Sequence, residues 1–309
     1  MKFGKVGVLM GGPSSEREIS LKSGKAVLES LKSLQLDIVA IDIKTDDPRE
    51  NLRLIKEHNI NCAFLTLHGR FGEDGQMQAI LDGAGIPYTG SGKFASSLAM
   101  DKIASRKILE AYKLSVPRYL VLEKRSAHAQ LPGFKNFTFP VVVKPSTQGS
   151  SIGLSIVDKK EDLDSAISLA FDFDQKVLIE EYIKGRELTV GILEDKALPA
   201  IEIIPKKRFF DFEAKYSAGL TEYIVPAKID PKLAEKVQAA ALKAHRLLGC
   251  YAYSRVDLIL NERNIPFILE ANTIPGFTQT SLFPKAAKVA GIEFGQLCLE
   301  LIRLAYEKA

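Results

Sequence analysis

The opening third of the chain alternates short apolar runs with stretches whose apolar residues recur at helical spacing. Residues 5–10 (KVGVLM) read as a strand. The turn Gly11-Gly12-Pro13-Ser14-Ser15 follows, and Glu16 to Leu34 has the period of an amphipathic helix. Leu36 to Ile43 is a second strand, 51–58 can form a helix, and Cys62 to Leu67 is a third strand. Strand, helix, strand, helix, strand predicts a small doubly wound parallel sheet. Such sheets hold ligands beyond the C-terminal ends of their strands. Glu16 and His68 both lie just past such ends.

Beyond residue 95 the pattern changes. Met100 to Ala111 predicts a helix. Residues 119–122, 141–144, 152–157 and 176–180 alternate, or run apolar with β-branched content, and predict strands. A helix at 161–170 lies among them, which makes this an α+β unit. A third unit carries strands near 187–193 and 198–204, an irregular stretch over 206–222, a helix over 232–248, a hairpin over 254–272 and a last helix over 292–306. The expected domains are therefore 1–95, 96–185 and 186–309. No internal repeat or low-complexity tract interrupts them.

The hairpin is the segment richest in chemistry. Ser254 to Leu260 leads to a turn at 261–264, and the chain returns through Ile265 to Asn272. If Leu260 pairs with Ile265, Arg255 stands opposite Glu270. Strand side chains alternate faces, so Arg255, Asp257, Glu270 and Asn272 share one side. Val256, Leu258, Leu260, Leu269 and Ala271 take the other. Two carboxylates and an amide oxygen a few ångströms apart suit Mg²⁺, which binds hard oxygen donors and substrate phosphates. An amphipathic hairpin with a solvated polar face accounts for the same alternation equally well.

Two further segments are suggestive. Val141 to Lys144 is a strand ending in a lysine, and the small-residue loop Pro145 to Gly153 returns to a strand. Backbone N–H groups of such a loop can cradle phosphate while Lys144 supplies charge. An ordinary glycine-rich hairpin with an exposed lysine fits as well. Val177 to Ile183 runs an apolar strand into Glu180 and Glu181, followed by Glu187. It could present backbone to an adenine and a carboxylate to a ribose, or simply be a strand end before a turn. No Walker A sequence, HExxH or GxSxG elbow occurs. Gly90-Ser91-Gly92-Lys93-Phe94-Ala95 matches GxGxxA only loosely and lacks the surrounding βαβ unit. His58, His128 and His245 lie on polar or helical stretches and read as structural or exposed.

Composition narrows the classes. A hydrophobic fraction of 46% in 309 residues buries a core. The net charge of +4 is spread along the chain, with short basic runs such as Lys206-Lys207-Arg208, so a nucleic-acid partner is not indicated. Cys62, Cys250 and Cys298 are far apart and odd in number, which favours neither a zinc site nor a disulfide framework and fits a reducing compartment. No stretch approaches the ~20 apolar residues of a membrane helix. The N-terminal apolar run is too short for a signal segment. A cytoplasmic protein without a membrane partner is expected.

Taken together and in order, the segments resemble the D-alanine:D-alanine ligases of the ATP-grasp superfamily. Gly11-Gly12-Pro13-Ser14-Ser15-Glu16-Arg17-Glu18-Ile19-Ser20 is similar to the family's first signature. His68-Gly69-Arg70-Phe71-Gly72-Glu73-Asp74-Gly75 is similar to its second. Tyr88 to Gly92, Met100-Asp101-Lys102, Lys144-Pro145, Gly149-Ser150-Ser151, Glu213-Ala214-Lys215-Tyr216, Arg255-Val256-Asp257 and Glu270 to Thr278 with Ser281 continue the match. Ser254 stands where glycine is usual, and Phe277 where methionine is usual. Ser254 is adjacent to Arg255 on the strand, so its side chain should face away from Arg255's face.

The resemblance implies a fold of three α/β units, with ATP between the two antiparallel sheets. It implies that Lys102 and Lys144 contact phosphates, that Glu180, Glu181, Tyr182 and Ile183 hold adenine, that Glu187 binds ribose and Phe209 packs on adenine, and that Ser151, Lys215 and Leu269 also belong to the ATP site. It makes Asp257, Glu270 and Asn272 the ligands of two Mg²⁺, for which Mn²⁺ could substitute. Glu16 would hold the first D-alanine's ammonium, with His68 nearby and able to help in proton handling. Ser281, Leu282 and Lys215 would receive the second D-alanine. Arg255 and the Gly276 N–H would face the oxyanion. Tyr216, Ser150 and Glu16 would latch a closing loop. A homodimer serving peptidoglycan precursor synthesis is also implied. D-Alanine:D-serine and D-alanine:D-lactate ligases, and a non-catalytic nucleotide-binding protein of the same fold, are the alternatives. Tyr216 favours D-alanine as acceptor over D-lactate.

Overall fold

The computed structural model describes residues 3–124, 134–206 and 221–308. Three sheets organise them. The first joins β1 (Val6–Gly11), β2 (Ile38–Ile43) and β3 (Cys62–Leu65) in parallel, in the order β2-β1-β3. All six residues of β1 are buried, as a central parallel strand requires when both its faces are covered. Helix α1 (Arg17–Ser33) buries Ser20, Ser23, Gly24, Val27 and Leu31, a stripe at three- and four-residue spacing. Gly24 permits the close approach: a Cβ there would lie 2.6 Å from Met10 Cβ. Helix α2 (Pro48–Glu57) begins with Pro48 after Asp47, whose carboxylate accepts from the N–H groups of Arg49 and Glu50.

Three helices follow before the second sheet. α3 (Gln76–Ala84) and α4 (Lys93–Met100) were not foreshadowed by the apolar pattern, and both start from glycines that offer no side-chain cap. The single helix expected from Met100 is in fact a new one, α5 (Lys102–Ala111). Asp101 separates it from α4: its backbone is extended, and its carboxylate caps Ile103 and Ala104.

The second sheet contains β4 (Tyr119–Glu123), β5 (Val141–Pro145), β6 (Ser155–Val157) and β7 (Lys176–Glu181), antiparallel in the order β4-β7-β5-β6. Helix α6 (Leu163–Phe171) covers its outer face. The third sheet is also antiparallel. It orders β11 (Thr221–Ile224), β10 (Ile201–Pro205), β8 (Gly185–Leu193), β12 (Tyr253–Asn261) and β13 (Pro266–Asn272), with β9 (Lys196–Ala197) beside β8. The helix Pro231–Leu247 packs Val237, Ala241 and Ala244 onto it.

The helices Leu282–Val289 and Phe294–Lys308 close the chain. The first of them was not expected from the sequence. The second returns to α1, so Val6, Val27 and Phe64 share one apolar cluster with Tyr253, Phe277, Phe283 and Leu301. Phe277 lies at its centre, with ring centroids 5.4 to 6.1 Å from Phe64, Tyr253, Phe283 and Phe294. That packing gives a large aromatic side chain a reason at this position.

Candidate active site

The hairpin β12–β13 differs from its simplest register. Leu260 pairs with Pro266 and Leu258 with Ile268, but Asp257 pairs with Glu270 and Arg255 with Asn272. Leu269 is the extra residue, a bulge in β13. Arg255 therefore does not stand opposite Glu270. The bulge also moves Leu269 off the apolar face, where strict alternation puts it. Ile268 takes the core position, and Leu269 lines a cavity together with Glu270. Ser254 does point away, buried and 2.7 Å from His245 Nδ1. His245 is a buried structural histidine, and His128 lies outside the described residues.

That cavity, about 500 Å³, opens between the second and third sheets. Its walls carry Lys102, Lys144, Ser151, Glu180, Glu181, Tyr182, Ile183, Glu187, Asp257, Leu269 and Glu270. Every described residue expected to contact the nucleotide is thus on one surface. Phe209 and Lys215 lie outside the described residues. Glu180 is 2% exposed and sits between two cations, 2.6 Å from Arg106 Nε and 2.8 Å from Lys144 Nζ. Burial alone would raise its carboxyl. Arg106 and Lys144 outweigh that and hold it below the ordinary carboxylate range. Burial likewise pushes Lys144 down to about 8, against the upward pull of Glu180. Lys102 Nζ donates to Gln148 O at 2.7 Å and lies 3.4 Å from Glu270. Glu181 also lines the cavity, and its carboxylate accepts from the N–H and Nε of Arg118.

A second cavity, about 270 Å³, adjoins the first. Glu270 lines both. Here stand Glu16, His68, Ser150, Arg255, Asn272, Gly276, Ser281 and Leu282. Tyr216 lies outside the described residues, so of the expected latch only the bond from Ser150 Oγ to Glu16 Oε1 is described. Ser150 and Ser151 both adopt positive φ, 51° and 59°, which costs ordinary residues about 1–2 kcal/mol each. Small polar residues in strained backbone fit a loop shaped for a ligand. Gly69, at φ 74°, lets the His68 turn pass Glu16; a Cβ there would lie 2.8 Å from Glu16 Oε2.

Asp257 accepts from Arg255 Nε at 2.9 Å, Arg255 Nη2 at 2.7 Å, Thr189 Oγ1 at 2.6 Å and Asn272 Nδ2 at 3.1 Å. Asp257 and Glu270 are direct cross-strand neighbours, and Asn272 follows on the same side of β13. The set fits a hard divalent cation: two carboxylates at the seam of the cavities, compensated now by Arg255 and Lys102. Among the described residues no group of three or more His, Cys, Asp or Glu could hold a metal, so a cation at this seam would need the Asn272 amide oxygen and ligand oxygens beside the two carboxylates.

Four residues at or beside these cavities carried no expected role. Arg106 is four residues after Lys102, a spacing that puts both on one helix face. Thr189 is two after Glu187 on β8. Ser23 lies on the buried stripe of α1. Glu73 lines the second cavity and accepts from Gly69 N at 2.8 Å. Desolvation, reinforced by the charge of Glu16, holds its carboxyl well above the ordinary range.

Two antiparallel sheets facing across a cation-lined cavity, with a small parallel sheet alongside, define the ATP-grasp class. The family model for the D-ala D-ala ligase C-terminus matches residues 108–303, and that for the N-terminus matches 5–52 and 44–91. A D-alanine–D-alanine ligase of Geotalea uraniireducens is 48% identical over 99% of this chain and 96% of its own. The D-alanine–D-alanine ligase of Bacillus anthracis, solved in complex with ATP, superposes with TM-score 0.87 at 34% identity, covering 99% of this chain and 98% of that one. The VanG D-Ala:D-Ser ligase of Enterococcus faecalis gives 0.86 at 32%, covering 98% and 99%. The chain belongs to the D-ala D-ala ligase family.

Proposed function

We propose that this protein joins two D-alanine molecules with ATP, through an acyl phosphate, to give D-alanyl-D-alanine. One observation carries the reading: two cavities of different chemistry meet at a single carboxylate, Glu270. The larger suits a nucleotide. Lys102 and Lys144 face its phosphates with Ser151, Glu187 its ribose, Leu269 and the Glu180–Ile183 edge its base. The smaller suits two amino acids. Glu16 receives the first ammonium, and Ser281 with Leu282 the second carboxylate, as Lys215 would. Asp257, Glu270 and Asn272 would hold two Mg²⁺, or Mn²⁺. Bound there, the metal neutralises charge on the transferring phosphoryl group.

A carboxylate is a poor acyl donor. Transfer of the γ-phosphoryl group to the first D-alanine releases ADP and makes its carbonyl reactive. The second amine attacks that carbonyl, and phosphate leaves as the amide forms. Arg255 and the Gly276 N–H are the donors for the tetrahedral oxyanion. Water must be excluded meanwhile, since it would hydrolyse the acyl phosphate. The loop of Lys215 and Tyr216 is assigned that task, latched through Ser150 and Glu16.

The same reading divides the chain near residues 95 and 185. It makes the protein a cytoplasmic homodimer supplying peptidoglycan precursor. Among the described residues no helix is long and apolar enough to cross a membrane. The test is phosphate release with ATP and Mg²⁺, products identified by mass. D-Alanine alone should support turnover and yield the dipeptide. Equal turnover with L-alanine refutes the assignment. Preference for D-serine or D-lactate as second substrate moves the protein to those ligases, and no turnover with any makes it a non-catalytic nucleotide binder.

A further inference from the structure

The turn Ile274–Phe277 is held at both ends by side chains from the other end of the chain. At its start, His68 Nδ1 lies 3.0 Å from Ile274 O. At its end, Phe277 N–H donates to Ser23 Oγ at 3.2 Å. The two side chains bond to each other, with His68 Nε2 and Ser23 Oγ 3.0 Å apart. Ser23, His68 and Phe277 are all buried. The result is a closed ring of hydrogen bonds from α1, through the loop after β3, to the turn after β13.

Donor and acceptor chemistry sets the direction of each bond. A carbonyl oxygen only accepts, so Nδ1 carries the proton. Nε2 of the neutral ring then accepts from the Ser23 O–H, and Ser23 Oγ accepts the Phe277 N–H. Burial, the main influence on His68, holds its pKa below the ordinary histidine value and keeps the ring neutral. Both ring nitrogens are therefore engaged within the fold.

The turn between those anchors has little freedom left. The Ile274 carbonyl fixes the peptide before Pro275, and the Phe277 N–H fixes the peptide after Gly276. Pro275 has a locked φ. The Phe277 ring is embedded in its aromatic cluster. The one remaining peptide is Pro275–Gly276, which carries the Gly276 N–H.

We infer that Ser23 and His68 work as one clip, positioning residues that aim the Gly276 N–H at the reacting carbonyl. The inference rests on the reading of Gly276 as an oxyanion donor. Its physical basis is preorganisation: a donor stabilises the transition state most when its direction is set before charge develops. A glycine turn without such anchors samples many directions.

The test compares Ser23→Ala, His68→Ala and the double variant of the full-length protein. Ser23→Ala should lower kcat between about tenfold and 100-fold with KM for ATP unchanged. The double variant should fall no further than the worse single one, because either change opens the ring. The limbs of the pH–rate profile should keep their positions in Ser23→Ala. Loss of a limb in His68→Ala, with Ser23→Ala as active as the parent, would make His68 an acid–base group and overturn the clip.

The ¹H–¹⁵N resonance of Gly276 gives a readout without turnover. It should shift in Ser23→Ala, and its amide should exchange faster, while circular dichroism shows the fold intact. An unmoved resonance overturns the proposal whatever the activity. If the parent protein makes no dipeptide, the functional reading fails instead, and the resonance alone decides the clip. Arg255→Ala separates the remaining case: a large loss there beside an unaffected Ser23→Ala leaves oxyanion stabilisation standing and refutes the clip.

Discussion

The two cavities are built by different means. The nucleotide cavity draws most of its charged side chains from strands, with Lys102 from α5, and its charges are balanced in place: Glu180 between Arg106 and Lys144, Glu270 beside Lys102. The amino-acid cavity draws more of its lining from loops, beside Arg255, Glu270 and Asn272 of the hairpin. Its geometry comes from backbone held by short polar side chains: Ser14 on the His68 carbonyl, Ser23 on Phe277, Ser150 on Glu16. The first resists perturbation of shape but not of charge. The second should tolerate charge-neutral change in stability and respond in chemistry.

The hardest blow to the first cavity is Arg106→Met. It leaves Glu180 with one cation and removes the bond to Ile268 O beside the bulge. Breaking a buried ion network in this way should cost about 3–5 kcal/mol in urea unfolding. KM for ATP should rise more than KM for D-alanine. A loss under 1 kcal/mol would mean that the pair contributes little.

Asp257→Asn lies on the seam. Turnover should fall about 100-fold while nucleotide binding, followed by calorimetry, changes much less. Equal losses in both would show that Asp257 serves binding rather than alignment.

Lys144 adds a pH test. Its charged form is the protonated one, so the cation is lost as pH rises through about 8. Nucleotide affinity should be about tenfold weaker at pH 9 than at pH 7, and Lys144→Arg should abolish that slope, since a guanidinium stays charged. The effect on folding has the opposite sense. The folded-state pKa lies below the ordinary 10.5, so this group alone makes the protein more stable as pH rises from about 8 to 10.5.

The smallest effect is expected on the second cavity. Ser281→Ala removes one hydroxyl bonded to Thr278 N at 3.0 Å. It should raise KM for the second D-alanine roughly fivefold, about 1 kcal/mol, and leave ATP binding and melting temperature alone. A change in ATP affinity would show that the cavities are coupled more tightly than Glu270 alone explains.

The strands were legible because their apolar residues report burial locally. β1, β5, β7, β8 and β12 fall where runs of Val, Ile and Leu demand them. α3, α4 and the Leu282–Val289 helix were not. They are short, of eight or nine residues, and none begins with a side-chain cap. Packing against the sheets stabilises them, and the sequence alone does not display that packing. Arg106 and Ser23 escaped for a related reason: a buried polar residue looks like any polar residue until its partners are known.

What the sequence determined by itself was the order of elements and the residue types that carry the chemistry, because side-chain period and motif spacing are local properties. Which of those residues meet was decided by tertiary structure. The bulge at Leu269 changed the partner of Arg255 and turned one side chain from core to cavity. The helix Phe294–Lys308 returned to α1 and brought Phe277 under the first sheet. Both outcomes depend on contacts between residues far apart along the chain, where packing and hydrogen-bond completion outweigh any preference a short segment can express.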